Sequence, residues 1–160
     1  MGMQPPKEPD LDAAMDPRAA RLKTVEQCEI LAENAFKGGD RQLAKDCRKR
    51  AVQLRAERHG AKTEVEKECL EAIYALEEVR SEANGRTTKA ARTWQAIKRH
   101  GIIPTVERVV ARPQVSEGFK ALEEMGLKRY AFEAVVLRHP DMFSPEAVEI
   151  SRQRLGEGKL

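Results

Sequence analysis

The chain has 160 residues, of which 34% are charged, 41% hydrophobic and only 4% aromatic, and it carries a net charge of +3. That length can bury a real core, and the composition suits a soluble helical protein of one domain. Cys28, Cys47 and Cys69 are an odd number, widely spaced, each inside a helical apolar pattern. They argue against a disulfide framework and for a reducing compartment, and with no CxxC they read as small buried hydrophobes. No apolar run reaches the length of a membrane span, and MGMQPPKEPDLDAAMD lacks the apolar stretch of a signal peptide. Pro6 stands where a myristoylation pattern needs Ser or Thr. The expectation is a cytoplasmic protein with no membrane contact, no metal and no cofactor.

Residues 1–16 carry three prolines and four acids and read as a disordered tail. Asp16-Pro17 suits a short first turn, and Thr24 with Gln27 forms a capping box for a helix from Val25 to Lys37, stopped by Gly38-Gly39. Its inner face is expected to be Leu31, Ala32, Ala35 and Phe36. Asp40 caps a second helix to His59, with Leu43, Ala44, Cys47, Ala51 and Leu54 inward and Arg41, Lys45, Arg48, Lys49, Arg55 and Arg58 outward. Thr63 and Glu66 box a long third helix to Asn84-Gly85, striped by Val65, Cys69, Ile73, Leu76 and Val79.

Beyond Gly85 the predicted elements are shorter: a basic helix over 88–99, then helices over 106–111, 116–125 and 128–138. Ser144-Pro145 starts a last one, running to Leu155. KRYAFEAVVLR, 128–138, is apolar nearly all round and is expected to be the buried helix of this half, with a short strand through Val135-Val136-Leu137 as the alternative. The fold class is thus all-α, an N-terminal three-helix bundle (17–84) packed with a C-terminal cluster of short helices (85–160).

Leu31, Ala32, Phe36, the turn Gly39-Asp40, and then Ala44, Ala51 and Leu54 follow the order of small and large positions in a tetratricopeptide unit. The segment from Val25 to Ala56 resembles one such helical hairpin, with Arg41 and Arg48 where that family prefers aromatics. The resemblance implies hairpin packing, but a peptide groove needs about three stacked repeats, so no peptide-binding function is carried over.

Charge is unevenly spread. Residues 38–60 sum to +4, 61–84 to −4, and from Gly85 to Pro113 seven cations face one acid, Glu107, for +6. On a helical wheel Arg86, Lys89, Arg92 and Arg99 fall opposite Ala90, Ala91, Trp94 and Ile97. The motif Gly101-Ile102, Thr105-Val106, Arg108-Val109-Val110 resembles the turn and recognition-helix start of lac-repressor-family DNA-binding domains, with a turn one residue shorter. That resemblance implies a helix-turn-helix-like element. Phosphate contact asks only for cations and free N–H groups, so Arg86, Lys89, Arg92, Arg99, Arg108 and Arg112 are the candidate nucleic-acid-binding residues. Arg48, Lys49 and Arg55 form a second candidate patch. The competing reading pairs the basic stretch with the acidic third helix through Glu71, Glu77, Glu78 and Glu82.

His59, His100 and His139 each precede a glycine or proline at a predicted helix end, where capping explains them. A general-base role for His100 would need a partner such as Glu107. Pro140-Asp141 with Glu157 and Lys159 is similar to the metal-binding signature of PD-(D/E)xK nucleases, though that chemistry wants its carboxylates on adjacent strands. No GxSxG elbow and no phosphate-cradling glycine loop occurs. Trp94, Phe119, Tyr130, Phe132 and Phe143 read as core by their helical spacing. The sequence therefore points to a non-enzymatic module that binds nucleic acid, duplex DNA above all, with a protein-interaction adaptor built on the hairpin as the alternative.

Overall fold

The computed structural model describes residues 14–112 and 117–157. They form α1 (Pro17–Ala20), α2 (Val25–Lys37), α3 (Arg41–His59), α4 (Glu64–Asn84), α5 (Ala91–His100), α6 (Ile102–Val110), α7 (Glu117–Glu124), α8 (Phe132–Arg138) and α9 (Pro145–Glu157). Two 3-10 turns, Lys128–Tyr130 and Pro140–Met142, flank α8, and no strand occurs among the described residues. Helices α2, α3 and α4 pack as the N-terminal bundle, and the short C-terminal helices contact one another. Residues 1–13 of the expected tail lie outside the described residues.

Local chemistry sets the helix starts. Side-chain oxygens of Asp16, Thr24, Asp40, Thr63 and Ser144 accept from N–H groups two or three residues on, at 2.9–3.2 Å. Each such cap contributes about 1 kcal/mol. Asp46, buried on α3, accepts from the Asp16 N–H at 2.9 Å and from Gln42 Nε2 at 3.2 Å, which ties the start of α1 to the bundle.

Small residues let α2 and α3 approach closely: Cys28, Ala32 and Ala35 meet Ala44, Cys47 and Ala51, all buried. Phe36, expected inside, is 57% exposed; the buried stripe of α2 runs through Val25, Cys28, Ala32 and Ala35 instead. The three thiols are free, buried and pushed up by desolvation, Cys47 to about 11 and Cys69 to about 12. That leaves them without thiolate reactivity.

α4 is the spine. Val52 of α3 with Ala75 and Val79 packs against Leu122, Leu127, Tyr130, Ala131 and Ala134. Val65, Cys69 and Ala72 meet Val106, Val110, Val135, Val136, Phe143 and Ala147. The segment 128–138 is buried, as its composition required, but it is not one helix. Ala131 adopts an extended conformation (φ −65°, ψ 145°) between the 3-10 turn and α8. The alternative strand through Val135–Leu137 is helix.

Because α4 is covered on several sides, three of its glutamates are buried. Glu68 accepts from Arg138 Nε at 2.8 Å and meets His139 Nε2. Glu71, only 7% exposed, has its carboxyl pushed up to about 7 by burial, an effect that Glu68 and Glu64 reinforce and Lys67 and Arg138 oppose. The Tyr130 phenol beside it is pushed up to about 12, also by burial.

A raised carboxyl pKa means that the folded state holds its proton more tightly than the unfolded state. The contribution is fully present below about 4.5 and is lost as pH rises towards 7. Glu71→Gln should therefore leave stability unchanged at pH 4 and raise it at pH 8, by up to roughly 3 kcal/mol. Urea unfolding of both proteins at the two pH values checks this.

Candidate nucleic-acid interface

The basic stretch is built on the last two turns of α4. Gly85 ends that helix in the left-handed region (φ 65°), and the linker turns back along it. Thr88 N–H donates to Ser81 Oγ at 2.8 Å, and Asn84 Nδ2 donates to Thr88 Oγ1 at 3.0 Å. The next anchor is Glu77, 4% exposed, whose Oε2 accepts from the Ala90 N–H at 2.7 Å and from Trp94 Nε1 at 2.8 Å. One buried carboxylate thus holds the backbone entering α5 and the ring one turn further on.

The Trp94 ring stacks on His59 (centroids 5.2 Å apart, 17° between planes) and meets Tyr74 at 5.1 Å. With Ile97 it covers Ala56, Leu70, Ile73 and Ala90. No residue of α5 is itself fully buried, so this thin contact, the Glu77 hydrogen bonds and packing against α6 carry the helix.

The helix begins at Ala91, not 88. Arg86 and Lys89 therefore lie on the linker, and the wheel that joined them to Arg92 and Arg99 does not apply to them. Arg92, Gln95, Lys98 and Arg99 are exposed on α5, Arg86 and Lys89 on the linker, and Arg108 and Arg112 on α6 and its end. Among the described residues none of these cations forms an ion pair; Arg108 Nη1 instead donates to His100 Nε2 at 2.9 Å. The acids of α4 are occupied elsewhere: Glu77 as above, Glu78 with Arg55 at 3.1 Å, and Glu71 in the core. Glu82 is exposed on α4, and the stretch's own Glu107 accepts from the Ser144 N–H at the start of α9.

A helix-turn-helix of the expected spacing does not form. α6 starts at Ile102, and Gly101 alone joins it to α5, in a conformation (φ 90°, ψ 169°) open essentially to glycine. Thr105, just ahead of the helix expected over 106–111, is 1% exposed inside α6 and donates its hydroxyl to Gly101 O at 2.7 Å. Pro104 sits in the first turn, where its missing N–H costs nothing.

In the second patch Arg55 bridges Glu29 at 3.2 Å and Glu78 at 3.1 Å, linking α2 to α4, so it is not a free cation. Lys49 is half-buried, and Arg48 lines a cleft of about 270 Å³ with Phe36, Glu29, Glu33, Glu78 and Glu82. His59, His100 and His139 do end helices, yet each ring has a specific neighbour, Trp94, Arg108 and Glu68 respectively. Glu107 is engaged at Ser144 rather than at His100. Asp141 is exposed in its 3-10 turn; the Glu157 side chain and Lys159, like Phe119, lie outside the described side chains. Among the described residues no group of three or more His, Cys, Asp or Glu could hold a metal ion, and no helix is long and apolar enough to cross a membrane.

Comparison with protein-family models, with curated proteins and with solved structures finds no match to this chain.

Glu77→Ala would strand the Ala90 N–H and the indole N–H, each costing about 1–3 kcal/mol. Stability should fall by a few kcal/mol. Emission from Trp94, the sole tryptophan, should shift to the red in the native baseline as the ring loosens. Urea unfolding followed by tryptophan fluorescence measures both.

Proposed function

We propose that this protein binds nucleic acid through the exposed cations between Arg86 and Arg112, which hold backbone phosphates. One observation supports this reading above the rest: Arg86, Lys89, Arg92, Lys98, Arg99 and Arg112 are solvent-exposed with no carboxylate partner among the described residues, although a strongly acidic helix lies beside them. Unpaired surface cations gathered on one stretch release condensed counterions from a polyanion, which drives sequence-independent association. A net charge of only +3 is compatible with this, because local charge sets the field at the contact.

A second reading, a protein-interaction adaptor, draws on Phe36, a large apolar side chain 57% exposed at the α2–α3 cleft. A stoichiometric partner captured by the wild-type chain despite nuclease treatment, but not by Phe36→Ala, would favour it.

Lys89→Glu, Arg92→Glu and Arg99→Glu together should weaken duplex DNA binding at least tenfold at low salt and flatten the slope of log K against log salt, by about 0.9 for each phosphate no longer neutralised. Fluorescence anisotropy across a salt series reads both. An unchanged affinity in the triple variant rejects the proposal.

A further inference from the structure

Resting on the reading above, we infer that the basic face takes an intact double helix and grips its phosphates without regard to base sequence, rather than binding unpaired strands.

Two modes of reading bases are blocked here for separate reasons. Proteins that hold single strands stack bases on exposed aromatic rings inside a basic groove. Within 86–112 Trp94 is the sole Phe, Tyr or Trp, and the one imidazole, His100, is bonded to Arg108. One side of the Trp94 ring is covered by His59, its N–H is bonded to Glu77, and Tyr74 closes another side. The one exposed large hydrophobic aromatic among the described residues is Phe36, in a cleft lined by residues of α2, α3 and α4 and by none of the cations of 86–112. No aromatic platform therefore accompanies the cations.

Major-groove reading by a second helix fails on α6. Such a helix reads bases with polar side chains of its first turns. Here those positions are Ile102, Ile103 and Pro104, then Thr105, whose hydroxyl is spent on Gly101 O, Glu107, spent on the Ser144 N–H, and Arg108, whose Nη1 is bonded to His100 Nε2 at 2.9 Å. Val106 and Val110 fix the helix in the core beside α4, α8 and α9. On α5 the exposed amide is Gln95 alone; the exposed cations Arg92, Lys98 and Arg99 suit phosphate oxygens, and the comparison of unrelated duplexes below reads whether the arginines also contact guanine. What remains is charge, and a duplex presents twice the phosphate density of one strand along its axis.

The test uses the full chain and four fluorescein-labelled probes in anisotropy titrations at one salt concentration: two duplexes of equal length and unrelated sequence, and one unstructured strand from each. The two duplexes should bind within about twofold of each other, and both strands at least about tenfold more weakly. Strands binding as tightly as duplexes would overturn the inference and point to a stacking surface. So would duplexes differing more than about tenfold, which would show base reading. In either of those cases phosphate binding by the face would stand; no binding to any probe would instead overturn the function proposed above. A Gln95→Ala protein run beside the wild type should give the same four affinities.

Discussion

The Glu77 carboxylate decides where the basic helix α5 stands. It lies buried on α4 and takes two N–H donors, one from the backbone at Ala90 and one from the indole of Trp94. Burying a charge is costly unless it is hydrogen-bonded, so the carboxylate and its donors fix one another. Beyond its packing on α6, α5 meets the bundle only through Trp94 and Ile97, and no residue of the helix is fully enclosed. A chain with an apolar residue at 77 would leave both donors unsatisfied and the basic helix loosely attached.

The same helix explains why the cations stand free. α4 carries seven acids between Glu64 and Glu82, and the simplest outcome would have been for them to neutralise the arginines that follow in sequence. Instead Glu77 bonds N–H groups, Glu78 serves Arg55 across the bundle, and Glu68 serves Arg138 and His139. Glu71 is enclosed with its carboxyl shifted towards the neutral form. Acid on one rod and base on the next stretch are thus kept apart by the internal demands of packing.

Much of the fold was legible in the chain because its signals are local. Thr24 with Gln27, Asp40, Thr63 with Glu66, and Ser144-Pro145 each mark a helix start within a few residues, and Gly38, Gly60 and Gly85 mark the ends. Sequence reasoning failed where distant groups decide. Phe36 has the right spacing for the inner face of α2, yet small residues on both helices close the seam without it. The helix expected over 128–138 breaks at Ala131, where nothing in the composition forbids helix. The helix expected over 106–111 begins four residues earlier, at Ile102, because Gly101 takes the conformation that starts it. In the candidate site the cations were plain from charge alone. The Glu77–Trp94 bond, 17 residues apart, and the Glu68 pair with Arg138, 70 apart, are not, because only tertiary packing brings them together.

The most direct measurement of the central claim is a heteronuclear NMR titration of the full chain with a short DNA duplex. Amide shifts should move together across Arg86 to Arg112, with the Trp94 indole signal following, while those of α2 stay in place. Shifts centred on the α2–α3 cleft, or a spectrum that duplex leaves untouched, would contradict a phosphate-binding face on this stretch.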